Sequence, residues 1–155
     1  MPDHPSSSDV QIAKEARILA AIAEQIGVEL RQRVKLEFDG AAMEVDGVAA
    51  DESVLVEVFA HVGKLRGGQR HKISTDALKL IALSESRPQA RLILAFADHA
   101  ARDSVAGWKA AVLKHRGIEL LLAGLSEADR AELVAAQAKQ MMVNAPAEEL
   151  AGAGD

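Results

Sequence analysis

The sequence predicts one α/β domain, a mixed β-sheet flanked by helices in the order α-β-β-β-α-β-α-β-α. Three patterns carry that prediction. Residues 12–30 place apolar side chains at helical spacing, and residues 34–62 alternate apolar and polar positions around two Asp-Gly pairs. A run of apolar residues at 90–97 and a second strand signal at 118–124 are separated by a helical stretch. Alternation marks a half-buried strand, whereas an apolar run of this length suits a strand covered on both faces. A chain of 155 residues that is 49% hydrophobic suits a single core, which we assign to 10–143. Residues 1–9 and 144–155, rich in Pro, Ser, Gly and Ala, read as disordered tails.

The first helix opens on a capping box, Ser8 with Gln11. Ile12, Ala16, Leu19, Ala23, Ile26 and Leu30 then form its expected buried stripe, to about Arg31. VKLEF (34–38) alternates, Asp39-Gly40 reads as a hairpin turn, and MEV (43–45) runs to a second Asp-Gly turn at 46–47. SVLVEVFAHV (53–62) is the strongest strand and is expected between neighbours. It places Val54, Val56, Val58 and Ala60 on one face and Leu55, Glu57, Phe59 and His61 on the other. The three strands form an antiparallel meander. Gly67-Gly68 precedes a helix over 69–84, and Pro88 closes the next turn. The apolar run 90–97 is a strand, Asp98 caps a short helix, and 107–117 is a helix ended by Gly117. A last strand, 118–124, leads to a helix over 126–142 that starts at Ser126 with Asp129.

Composition narrows the function. A net charge of −5 means the whole molecule does not attract polyanions, so any such contact is local. The dense local patch is 64–72, with Lys64, Arg66, Arg70 and Lys72. Three Phe, one Trp and no Tyr argue against recognition of single strands by stacked bases. Absence of cysteine excludes disulfides and thiolate metal sites and fits a cytoplasmic protein. No apolar run approaches membrane-spanning length, so no membrane partner is expected. The glycines at 63, 67 and 68 make no nucleotide-binding fingerprint, and Ser53 and Ser74 sit in no nucleophile elbow.

Glu57 is the anomaly, an acid inside an apolar strand with a basic segment behind it. It reads either as a strand acid paired with a nearby cation or as a metal ligand. Asp46 is a turn former first and a second candidate acid. On the helix 69–84, Gln69, Lys72, Asp76 and Lys79 fall within roughly 80° of one another, a polar stripe beside Ile73, Ala77, Leu80 and Ile81. Strand, loop and stripe would bring together two carboxylates for a metal, with Gln69 and the cations, Arg66 and Arg70 among them, for a phosphate. His61 points along the Glu57 face and is a possible accessory.

The order of elements, with Asp46 ending one strand, Glu57 inside the next and Gln69 opening the following helix, resembles the PD-(D/E)XK superfamily, the restriction-endonuclease-like fold. That resemblance covers roughly residues 10–125. It implies a Mg²⁺-dependent phosphodiesterase acting on nucleic acid such as DNA, with Asp46 and Glu57 as metal ligands, Gln69 and Lys72 at polar positions of the second core helix, and Glu15 as an accessory acid of the first. The family's lysine two residues after the second acid is Phe59 here, and no proline precedes Asp46. The resemblance then implies that Lys72 or Lys64 supplies the missing charge. The alternative is a catalytically inactive member of the fold serving as an interaction or scaffold protein, with a protein partner or as a homodimer.

Overall fold

The computed structural model describes the backbone of residues 7–152 and the side chains of residues 8–142. Of the two tails read from sequence, residues 1–6 and 153–155 lie outside the described residues. The elements are α1 (Ser7–Ile26), β1 (Arg31–Phe38), β2 (Ala41–Val48), β3 (Val54–Phe59), α2 (Gly68–Ser86), β4 (Arg91–Phe96), α3 (His99–Asp103), α4 (Gly107–His115), β5 (Ile118–Leu122) and α5 (Glu127–Gly152). The five strands form one mixed sheet in chain order, β1-β2-β3-β4-β5. The first three are antiparallel neighbours, and β4 and β5 continue parallel to β3. The meander and the central place of β3 are therefore as the sequence predicts. Among the described residues no helix is long and apolar enough to cross a membrane.

Helices cover both faces. Val54, Val56 and Val58 of β3 meet Ile18, Leu19 and Ile22 of α1 and Leu133 of α5. Leu55 and Phe59 pack in a second cluster with Ile73, Ala77, Leu80 and Leu83 of α2, Ala101 of α3 and Leu113 of α4. This division of β3 into two faces follows from its period of two. All six β3 residues are buried, Glu57 included.

Three expectations fail for identifiable reasons. Asp39-Gly40 is the hairpin turn, with φ of 48° and 82°, the two left-handed positions such a turn needs. The second pair, Asp46-Gly47, is not a turn: β2 runs through it to Val48. Gly47 is required there by packing, since a Cβ would sit 2.4 Å from Leu19 Cδ2. The glycine lets α1 lie close on the sheet. The expected stripe of helix α1 holds at Leu19, and Ile26 and Leu30 pack against the core, but it fails over the helix's first turns. Ile12 and Ala16 are exposed, and Ile18, Leu19 and Ile22 are buried. The bulky aliphatic residues outcompete the alanines for the sheet, and this rotation carries Glu15 into the buried face. Finally, β3 ends at Phe59 rather than at 62. Beyond it the Gln137 amide pairs with Val62, accepting from its N–H at 2.9 Å and donating to its carbonyl at 3.0 Å. A side chain of α5 thus takes the place of a neighbouring strand.

Candidate functional site

The sheet opens around Asp46. On one side, the register of β2 with β3 is limited to Gly47↔Val56 and Val48↔Leu55. On the other, the β1–β2 register has Gln32↔Gly47 and Val34↔Val45 but skips Arg33 opposite Asp46. Arg33 has φ 52°, a left-handed conformation that costs an arginine of order 1 kcal/mol or more. Asp46 fills the gap: its Oδ2 accepts from the Val58 N–H at 2.8 Å, replacing a lost ladder bond. A carboxylate is thereby fixed between two strands where the backbone has parted.

Glu57 reaches this gap from β3. It is 1% exposed, and burial, then its hydrogen bond to Asp46 and the Asp46 charge, push its carboxyl up to about 9. Two more acids surround the pair. Glu15 of α1 is buried, and its carboxyl is raised by burial and then by Asp46. Asp76 of α2 is buried too, its carboxyl raised by burial against the opposing effect of Lys72. Helices on opposite faces of the sheet thus contribute to one acidic cluster, joined through the opening at Asp46.

Cations offset it incompletely. Lys79 Nζ stands 2.7 Å from Glu57 Oε1, but at a poor angle, so that buried oxygen has no well-directed hydrogen bond. Burial opposes the Lys79 charge, yet Glu57, Asp76 and Asp46 together raise its pKa. Glu57 therefore keeps its proton at neutral pH beside Asp46, while Lys79, its pKa raised by the acids around it, stays charged. Lys72 donates to Asp76 Oδ2 at 2.7 Å and to the Val58 carbonyl at 3.2 Å, with its amine 5.7 Å from the centre of the Phe59 ring. Arg33 lies 3.3 Å from Glu15 and 3.6 Å from Glu44. Glu15 Oε2 and Arg33 Nε are nevertheless buried without a directed hydrogen bond.

A cleft of about 480 Å³ reaches the cluster at Glu15 and Lys72, with His61, Gln69 and Gln140 along its walls. A second hollow of about 470 Å³ shares His61, Gln69 and Gln140 with it and is edged by Lys64 and Arg66. The two make one groove between α1, α5 and the 60–69 loop. Gln69 does not touch the acids. Its Nε2 is 2.9 Å from His61 Nδ1, and its Oε1 accepts from the Arg66 N–H at 3.0 Å. His61 is held in its neutral form by burial. The loop is pinned from beneath by buried Asp98, which accepts from the Gly63 N–H and from Arg130, at 2.8 and 2.7 Å. Arg70 is exposed and lines a separate hollow with Leu65, Ser104 and Trp108.

No family model, curated protein or solved structure matches this chain.

Asp46 and Glu57 are adjacent, as the sequence leads one to expect, and Glu15 joins them. Lys72 reaches the edge of the cluster, whereas Lys64 and Arg66 stay on the groove's rim and Arg70 leaves it. The cation at Glu57 is Lys79, which sequence reasoning placed on the polar stripe of α2 without a role. Lys72 and Lys79 are seven residues apart, about 10 Å of helix, on one face. The stripe was thus the signal for both lysines, and only the depth of Glu57 beneath α2 separates them. Among the described residues, no group of three or more His, Asp or Glu is gathered for direct metal ligation. Mg²⁺ commonly takes one or two carboxylates and keeps several waters, so an Asp46–Glu57 pair is a sufficient protein share.

Proposed function

We propose that this protein is a Mg²⁺-dependent phosphodiesterase of restriction-endonuclease-like fold, with nucleic acid as its substrate. The supporting observation is the Asp46–Glu57 pair, two acids from neighbouring strands brought together in a buried opening of the sheet, with the Glu57 carboxyl pushed up to about 9. Burying such a cluster costs stability, because apolar side chains of equal volume would serve a core as well or better. Perturbed acids beside a cleft are a mark of functional sites. The oxygen-only donor set of Asp46, Glu57 and Glu15 fits a hard divalent cation. The element order and the β1-β2-β3-β4-β5 sheet are compatible with the fold.

In this reading Asp46 and Glu57 hold Mg²⁺, and Glu15 flanks them. Bound there, the ion supplies a water of lowered pKa and neutralises charge on the phosphate. Asp46, fixed by the Val58 N–H, orients the pair. Lys79 takes the place of the strand lysine displaced by Phe59 and holds the Glu57 charge. Lys72, on the groove floor, steadies charge developing on the phosphate. Lys14, Lys64 and Arg66 follow the groove and suit contact with a phosphate backbone.

Cleavage of DNA and RNA substrates in Mg²⁺ or Mn²⁺ tests the reading. Activity abolished by both Asp46→Asn and Glu57→Gln, in folded protein, supports it. A second reading is favoured by the Lys79–Glu57 contact, which already gives the buried acid a partner: an inactive member of the fold, serving as a scaffold. Failure of the wild type to cleave or to bind either ion would select that reading.

A further inference from the structure

Strand β1 is an edge of the sheet, and among the described residues no strand pairs with its outer side. We propose that it pairs with the β1 strand of a second copy of this chain, joining two sheets into one of ten strands about a twofold axis through Leu36. The regular part of β1 is bounded at both ends. The left-handed residue Arg33 interrupts it on one side and the Asp39-Gly40 turn closes it on the other, leaving residues 34–38. The middle residue of that segment is Leu36.

An antiparallel pairing centred there sets Leu36 against its own copy, Val34 against Phe38, and Lys35 against Glu37. Every one of these pairs is complementary. Lys35 and Glu37 are exposed, and among the described residues neither forms an ion pair within its own chain. The twofold would supply each with a partner, twice over. Val34, Leu36 and Phe38 face the α2 side of the sheet. Beside them lies an apolar hollow of about 400 Å³ lined by Phe38, Met43, Leu78, Ile81 and Ala82. Leu78 is 67% exposed. Extending the sheet brings the two α2 helices toward the seam from the same side, where Leu78 and Met43 gain cover. Five residues of strand pairing make a small interface alone, and this neighbouring apolar surface enlarges it.

The opposite edge lacks such a pattern. Centred on Leu120, β5 would set Glu119 against Leu121 and leave the acid without a cation, and Glu119 is already engaged by Arg91 at 2.5 Å. An exposed edge is often guarded by charge, and a guard need not be self-complementary, as 34–38 is.

The experiment is sedimentation equilibrium on the full chain across a micromolar concentration series. The wild type is expected to dimerise. Lys35→Glu sets like charges opposite at both symmetry-related pairs and should weaken the dimer about tenfold or more. Adding Glu37→Lys to it exchanges the charges and should restore the wild-type constant. Both positions are exposed, and circular dichroism confirms that the variants fold. A wild type that stays monomeric throughout overturns the proposal. So does a dimer that Lys35→Glu leaves unchanged, or one that the charge exchange fails to restore.

Discussion

Replacing Glu57 by Gln should change how stability depends on pH. In the folded chain the Glu57 carboxyl is pushed from 4.5 up to about 9, first by burial and then by Asp46. A carboxyl whose folded pKa lies above its unfolded value holds its proton in the fold and releases it on unfolding. Stability is therefore lost steadily as pH rises between those two values, at up to about 1.4 kcal/mol per unit. Between about pH 7 and 8.5 the wild type should lose about 2 kcal/mol at most, the upper bound because Glu57 is coupled to Lys79. His61, whose pKa is lowered by burial, is neutral across this window, and Lys79, whose pKa is raised, stays charged. Gln keeps the shape and a hydrogen-bonding group but carries no titratable proton. Urea unfolding at several pH values should show the wild-type midpoint falling with pH and the Glu57→Gln midpoint nearly level. A wild-type profile that is flat over this window, or an equal slope in both proteins, would refute a proton held on buried Glu57.

Three further outcomes follow from the packing and the ion pairs. Leu19→Ala should cost about 2–5 kcal/mol in denaturant unfolding. Gly47→Ala alone should also destabilise, since its Cβ meets Leu19 Cδ2, whereas in the Leu19→Ala background it should cost far less, a double-mutant coupling of about 1 kcal/mol or more. Lys79→Met should reduce Mg²⁺-dependent cleavage by about 10²–10³, the usual loss for a placed charge stabiliser, with circular dichroism confirming the fold. Asp98 is buried, which opposes its charge, but the Gly63 N–H and Arg130 hold its carboxyl below the usual range. Its stabilisation is present above an unfolded pKa of 3.8 and is lost as pH falls through the lower folded value. Asp98→Ala should therefore destabilise by about 1–3 kcal/mol at neutral pH, the range for lost hydrogen bonds to a charged group with Arg130 left half-exposed, and accelerate amide exchange at Gly63.

Much of the sheet was legible because strand periodicity is local. Alternation in 34–38 and the apolar, β-branched run at 53–58 are written in consecutive residues, and the largely apolar runs at 90–97 and 118–124 mark strands with helices on both faces. The acids were legible for the same reason, since Glu57 breaks an apolar run. What was not legible depends on how separate elements meet. The buried face of α1 was set by competition of Ile18 and Ile22 with Ile12 and Ala16, which no spacing rule decides. Asp46-Gly47 has the composition of a turn but serves the close approach of Leu19, a contact 28 residues distant in the chain. Lys79 was visible as part of a stripe, yet its choice over Lys72 depends on how deep Glu57 lies beneath α2. The break at Arg33 carries no local signal, for arginine seldom adopts φ 52°.

The most direct test of the account is calorimetric titration of the wild type with Mg²⁺ near neutral pH, in two buffers of different ionisation enthalpy. An ion held by Asp46 and Glu57 must displace the proton that Glu57 holds near neutral pH, so binding should release about one proton per ion and its apparent enthalpy should differ between the buffers. Glu57→Gln should abolish both the binding and the proton release. Absence of Mg²⁺ binding, or binding that releases no proton and survives Glu57→Gln, would contradict a metal centre at this pair.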